Sequence, residues 1–283
     1  MYLKKECSPS ELIALLQNRG LHINSMNLAS LILKNIGYQT FDSYCYPFLL
    51  KNSSDFRPNT SLSQIWSVIL LDRHLRSLLF PVLLEIELAL KTRWTEFIVK
   101  QAGPFGYLDC SLFFDQKIFT RNLKHSTKSW CASNDAEIKA FRNKYPSQMP
   151  PVWQFVRVLT FGELSHWITS MTVFLQKRFF ESLQLPSYDN FRTSTLNVLT
   201  LARNNCAHGQ RIWNRSFPAV VPQEFSSSEN KHKIAAVIRL IYFIADSLEI
   251  NIRSFQNTLS VVLSEVPRWQ MAAMGYTSRP PQP

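Results

Sequence analysis

The chain has 283 residues, with 31 Lys and Arg against 20 Asp and Glu and a formal charge of +11. Hydrophobic residues make up 46% and aromatics 13%, enough for a buried core, which excludes a disordered basic tail or a linker protein. Charged residues reach only 18%, below the roughly 25% usual for a globular chain, so the surplus comes from scarce acids rather than abundant lysine.

In chain order, Ser8-Pro9-Ser10-Glu11 is a capping box with Pro at the first helical position, followed by Leu12, Leu15 and Leu16 at helical spacing and a stop at Gly20. A second helix is expected over 25–36, ending at Gly37. Residues 38–60, rich in aromatics and holding Pro47 and Pro58, read as an irregular connector that packs by its rings. From 61 to 100 runs the longest periodic stretch, where Pro81 predicts two helices or one kinked helix. A loop at 101–116 leads into a basic loop and helix at 117–144, with seven Lys or Arg against two acids and with His125 and Trp130 among them. Pro150-Pro151 opens a helix that Phe161-Gly162 breaks before Leu164, Trp167 and Ile168 resume the pattern. Further helices are expected at 171–183, 190–205, 231–250 and 254–265, with a loop at 216–229 between the second and third of these.

No alternating strand run and no repeat is visible, so the fold class is all-α. Length alone suggests about two domains. Without a separating linker, the reading becomes one helical domain over 1–270 with an N-terminal subregion at 1–58, and 271–283 as a disordered tail. Five scattered cysteines, none in a CxxC pair, fit a reducing compartment with mostly buried thiols. The start MYLKKECSPS is not a secretion signal and no apolar run reaches the ~20 residues of a membrane span, so a cytoplasmic protein away from membranes is expected.

Charge is spread along the chain: +3 over 1–100, +3 over 101–150, +4 over 151–220 and +1 over 221–283. That distribution belongs to a folded surface facing a polyanion. Lys117, Arg121, Lys124, Lys128, Arg142 and Lys144, interleaved with aromatics, suit contacts to a nucleic-acid backbone; an ordinary solvated excursion is the alternative. There is no HExxH, no histidine pair at i,i+4, no GxxxxGK[ST], no GxGxxG and no GxSxG around Ser165. Neither a metal nor a cofactor is expected.

The densest polar segment is 203–215, RNNCAHGQRIWNR. Histidine titrates near neutrality and His208 is suited to move protons; Arg203 offers a fork of donors matched to phosphate. Together they suit attack of a ribose 2′-hydroxyl on the neighbouring phosphodiester, with Arg203 stabilising the charge that develops and RNA as the substrate. On an unbroken helix the two would lie about 140° apart, so a break near Asn204–Asn205 or a partner is needed to bring them together. The alternative reading is structural: a histidine that caps a helix and an arginine paired with a core acid.

Several blocks, in order, resemble the bacterial abortive-infection Abi-like proteins of the HEPN superfamily. These are NRGLHI (18–23), KNIGYQTFDSYCYPF (34–48), the helix 65–93 with its Asp-Arg, Leu-Arg and Glu-Ile-Glu elements, GPFGYLD (103–109), PPVWQFVRVLTFGELSHW (150–167) and LARNNCAHGQRIWNR (201–215). The resemblance implies a HEPN-like helical bundle with added N- and C-terminal helices and an irregular basic insertion. It places an RxxxxH motif on Arg203 and His208, with Asn204 as its polar companion. It implies a metal-independent endoribonuclease, often with a composite site between two copies, acting as a toxin in phage defence and in some relatives restrained by a structured non-coding RNA. Arg211 and Arg215, one and two turns further on, would hold flanking RNA or cross a dimer contact. Arg157 stands where the family pattern has an acid, which would shift a salt bridge involving the Asp72, Glu85 and Glu87 helix or add to the basic surface. The expected partners are therefore RNA and a second copy of the chain. Two further readings carry different tests: a non-catalytic RNA-binding component using the same motif, and an oligomerisation or sensor protein using the apolar 231–265 segment.

Overall fold

The computed structural model describes residues 8–146, 148–218, 221–222, 225 and 230–277. Among them the chain is all-α, and β pairing is limited to isolated bridges. The chain divides into two compact units, Met1–Leu75 and Arg76–Pro283, and the division falls inside the long helix Leu62–Ala102.

In the first unit, helix α1 (Pro9–Asn18) opens on the expected capping box between Ser8 and Glu11. Helix α2 (Met26–Ile36) is capped by Ser25 and ends at Gly37, whose φ of 76° turns the chain directly into α3 (Tyr38–Cys45). Residues 38–45 are thus helical where an irregular connector was expected, because Phe41, Tyr44 and Cys45 share one buried face. Arg19 ties the unit together, with Nε donating to the Ser54 carbonyl at 2.6 Å and Nη1 to the Tyr38 hydroxyl at 3.1 Å. The Tyr44 hydroxyl donates to the buried Asp72 carboxylate at 2.5 Å.

Helix α4 (Leu62–Ala102) is a single helix of 41 residues with Pro81 inside it. Its later part belongs to the second unit. There follow α5 (Gln116–Ala132), α6 (Ala136–Lys144), the short α7 (Val152–Phe155), α8 (Phe161–Ser170), α9 (Val173–Ser182), α10 (Asp189–Ala207), α11 (Ile234–Ser247), α12 (Arg253–Glu265) and α13 (Arg268–Ala273). The basic segment is therefore two regular helices, each started by an aspartate, Asp115 and Asp135, that accepts from first-turn amides. Phe161-Gly162 is not a breaker. Thr160 caps α8 and Glu163 reciprocates, so both residues lie in the first turn of that helix.

The core of the second unit centres on Trp167, fully buried, with the rings of Trp94, Tyr107, Phe113, Phe119 and Phe155 at 5.3 to 6.4 Å from its own. Its indole Nε1 donates to Ser126 Oγ at 3.1 Å, which satisfies the one polar atom of that ring. Helix α8 thereby locks to α5 on one side and packs on α10 on the other. The apolar α11 covers a further face of α10.

At the C-terminus, Met271 within α13 and Met274 at its end are buried, and the helix reaches into the stretch assigned from residue 271 to a tail; 278–283 lie outside the described residues, as does part of the 216–229 loop. Of the cysteines, Cys45 is buried and Cys206 half-buried, but Cys110 and Cys131 are exposed, contrary to the expectation of mostly buried thiols. Cys7 lies outside the described residues.

Candidate functional site

Helix α10 buries Phe191, Leu196, Val198, Leu199 and Ala202 and carries its polar residues to its C-terminal end. The helix is anchored at its start by Arg192, buried, which donates to Gln176 Oε1 at 3.3 Å and also to the Ser187 carbonyl and the Asp189 carboxylate. At the other end Asn204 and Asn205 remain helical. The helix stops only at His208, and the break falls at Gly209 (φ 64°). The Gly209 amide donates to the Cys206 carbonyl at 3.3 Å and the Gln210 amide to the Asn205 carbonyl at 2.9 Å, the paired bonds of a Schellman motif.

The asparagines stay in the helix because arginines occupy their side chains. Arg203 Nη1 donates to Asn204 Oδ1 at 3.2 Å, and Arg215 Nη1 donates to Asn205 Oδ1 at 3.2 Å. Each side-chain oxygen thus has an arginine as partner in place of a backbone amide. Arg203 Nε donates to Glu87 Oε2 at 3.0 Å, while Lys91 Nζ holds Glu87 Oε1 at 3.0 Å. Glu87 is buried, so Arg203 does have a core acid as its partner. These contacts engage Nε and Nη1; Nη2 is not taken by either Glu87 or Asn204.

His208 is exposed at the helix end, its amide donating to the Asn204 carbonyl at 2.9 Å. Five helical positions separate it from Arg203, about 140° around and about 7.5 Å along the axis. Asn204, four positions away, shares its face and links the two: its side chain accepts from Arg203 and its carbonyl from His208. Because the helix ends at Ala207, Arg211 and Arg215 are on the following loop and not on further helical turns. Arg215 closes that loop onto Asn205, Gln210 and the Arg211 carbonyl. The loop also brings Lys233 beside it: Nζ donates to Asn214 Oδ1 at 3.0 Å, and burial together with the nearby Arg211 guanidinium holds its ammonium below the usual range. The crowding of two cations there was invisible in sequence, where they are 22 positions apart.

Of the basic residues at 117–144, Lys117, Arg121, Lys124 and Lys128 fall at i, i+4, i+7 and i+11 on α5, within about 60° of one another, and all are exposed. Arg142 is elsewhere engaged: Nη2 donates to the Ser133 carbonyl at 2.8 Å and Nη1 to those of Trp130 and Cys131, so it caps the end of α5. Lys144 lies over the Tyr145 ring at 5.4 Å. Arg157 pairs with Asp135 at 3.1 Å and with Glu137, and not with the Glu87 helix. A groove of about 460 Å³ opens between α5 and α8, lined in part by Arg121, His125, Glu163 and His166. His125 Nδ1 and Glu163 Oε1 are 2.8 Å apart. In the sequence His125 stands only among the basic residues of 117–144 and His166 only beside Ser165 near Trp167, because the Glu163 partner of His125 lies 38 residues away.

Residues 31–214, well over half of the chain, match the family described as Abi-like protein. The chain belongs to that family. No curated protein and no solved structure matches it. The Abi-like span runs from within α2 to Asn214, one residue short of Arg215, and takes in the whole of α10 with its Schellman end. Helices α1 and α11 to α13 lie outside it. Among the described residues no group of three or more His, Cys, Asp or Glu side chains is placed to hold a metal ion, and no helix is long and apolar enough to cross a membrane.

Proposed function

We propose that this Abi-like protein is a metal-independent endoribonuclease of the HEPN type, a toxin of phage defence by abortive infection that a bound non-coding RNA restrains. The observation that carries the reading is the end of α10, where Asn204 joins an arginine braced by a buried carboxylate to an exposed histidine. His208 takes the proton of a 2′-hydroxyl as its oxygen attacks phosphorus. The P–O5′ bond breaks, leaving a 2′,3′-cyclic phosphate and a 5′-hydroxyl whose proton comes from an imidazolium. Arg203, oriented by Glu87, stabilises the phosphorane-like charge through its remaining donors. The 140° between Arg203 and His208 is bridged by a two-fold partner that sets both copies of the motif around one groove, a homodimer being the smallest such assembly. Lys117, Arg121, Lys124 and Lys128 hold RNA backbone, and Arg211 holds flanking nucleotides beside Lys233.

The test is cleavage of labelled RNA in chelator by wild type, Arg203→Ala, His208→Ala and the double variant, with the product ends identified and host growth inhibition followed alongside. Cyclic-phosphate ends and loss of both activities in every variant are expected. Undiminished cleavage by the double variant overturns the assignment.

One observation favours a second reading, a non-catalytic RNA-binding component. Arg203 has its core acid and His208 its helix-terminal place, as a purely structural motif would. Salt-sensitive binding with no product in any assembly state would select it.

A further inference from the structure

The groove between α5 and α8 is held open by a residue that neither backbone nor packing requires. Gly162 lines it from the first turn of α8, and an added Cβ would meet only Thr200 Cγ2 at 3.7 Å and Thr160 Oγ1 at 3.9 Å, ordinary contact distances. Its backbone is helical, so alanine would fit there and favour the helix. The missing side chain leaves space.

The walls carry one guanidinium and two imidazole rings. Arg121 and His125 project from α5 and His166 from α8, all three exposed. The one lining acid, Glu163, is spoken for: Oε2 accepts from the Thr160 amide at 2.7 Å and Oε1 faces His125 Nδ1 at 2.8 Å. That contact fixes the His125 ring and directs its Nε2 away from Glu163. Arg121 also belongs to the stripe with Lys117, Lys124 and Lys128, whose eleven-residue span covers about 16 Å of helix. A guanidinium and two imidazoles are surfaces on which unstacked bases lie, and a volume of this size takes a single small planar ligand.

We infer that this groove is a nucleotide pocket for single-stranded RNA: one base turns in against Arg121, His125 and His166 while the flanking phosphates run along the α5 stripe. The inference rests on the RNA reading above but adds a site separate from the end of α10. An RNA strand is favoured over a free nucleotide because the cationic track continues beyond the groove on both sides of Arg121.

Fluorescence anisotropy of full-length protein with a labelled 2′-O-methyl oligoribonucleotide, which cannot be cleaved through its 2′-oxygen, tests this. Arg121→Ala, His166→Ala and Gly162→Leu should each weaken single-strand binding about tenfold, with the melting temperature held. If Gly162→Leu folds poorly, Gly162→Ala takes its place and should weaken binding without loss of stability. Wild-type affinity in all these variants overturns the pocket and leaves the nuclease reading standing. No binding of any RNA by wild type overturns both. Adenosine monophosphate competing as well as the oligonucleotide, mole for mole, overturns the strand in favour of a free-nucleotide site.

Discussion

Glu87 accepts a 3.0 Å hydrogen bond from Arg203 across 116 residues of sequence, and the same carboxylate is held from its other side by Lys91. The pair is asymmetric: Glu87 has two cations, whereas the Nε of Arg203 has a single acid. Glu87→Ala strips both cations of their carboxylate in a mostly buried setting. Its cost is about 3 kcal/mol, the low end for a broken buried pair because Arg203 and Lys91 are 22% and 16% exposed and reach water. Arg203→Ala leaves Glu87 paired with Lys91 and costs ~1 kcal/mol. Urea unfolding of the two variants orders them; a larger loss for Arg203→Ala would contradict this geometry.

The capping box of α8 gives a second prediction. Thr160 Oγ1 accepts from the Glu163 amide at 3.2 Å and Glu163 Oε2 from the Thr160 amide at 2.7 Å. Thr160→Ala should cost about 1 kcal/mol, and Thr160→Ser much less. Since α8 carries Trp167 into the core, the loss should appear in global unfolding followed by tryptophan fluorescence and not as local fraying.

Much of the helical order was legible because its signals are local. Ser8 to Glu11 and Gly37 sit where the chain turns, and the apolar periodicity of 190–205 and 231–250 marks α10 and α11. What escaped depends on distant partners. Asn204–Asn205 read as a weak point in the helix, yet Arg203 and Arg215 occupy their side chains and the break moves to Gly209. Thr160 and Glu163 were hidden by the Phe161-Gly162 between them, which reads as a breaker when its cap is overlooked. The Arg203–Asn204–His208 constellation was visible as residue types, but the acid that braces it lies on α4. The groove was not visible at all: His125 and Glu163 meet only because Trp167 locks α5 and α8 together.

Gly209 sits at φ 64°, and a β-carbon added there would meet nothing within 4 Å, so only the left-handed backbone restricts it. Gly209→Ala should cost roughly 1 kcal/mol, and Gly209→Asn less, since asparagine visits this region more readily. Gly209→Val should cost most. Denaturation midpoints in the order Gly, Asn, Ala, Val are expected; equal midpoints would mean that the helix end does not need this conformation.

The thiols separate by burial. Burial raises Cys45 and Cys206 from the ordinary 9.0 to about 12, with Arg76 offsetting part of the effect at Cys206. Exposed Cys110 and Cys131 should therefore alkylate within minutes at pH 8 while Cys45 and Cys206 stay intact until the protein unfolds. The sign of the pH dependence follows. A folded value above the unfolded one gives stability that is fully present below pH 9 and lost as pH rises from 9 toward 12. Replacing Cys45 by alanine should flatten the alkaline arm of the stability profile. Mass spectrometry of alkylated peptides and unfolding between pH 7 and 10 check the two parts.

The basic residues of 117–144 should separate into two classes under mutation. Arg142 spends its guanidinium on the Trp130, Cys131 and Ser133 carbonyls at the end of α5. Removing it uncaps that helix, and Arg142→Ala should lower the melting temperature while leaving the salt dependence of RNA binding as in wild type. Lys117, Lys124 and Lys128 are exposed on the α5 stripe, and alanine at each should leave melting unchanged. On the RNA reading each releases about 0.7 fewer counterions from a single strand, so the slope of log affinity against log salt should shallow by about that much per substitution. The triple variant should lose about 2 from the slope. A slope that stays constant in the triple variant would mean that the stripe is a solvated face, and that the positive charge meeting RNA lies elsewhere on the chain.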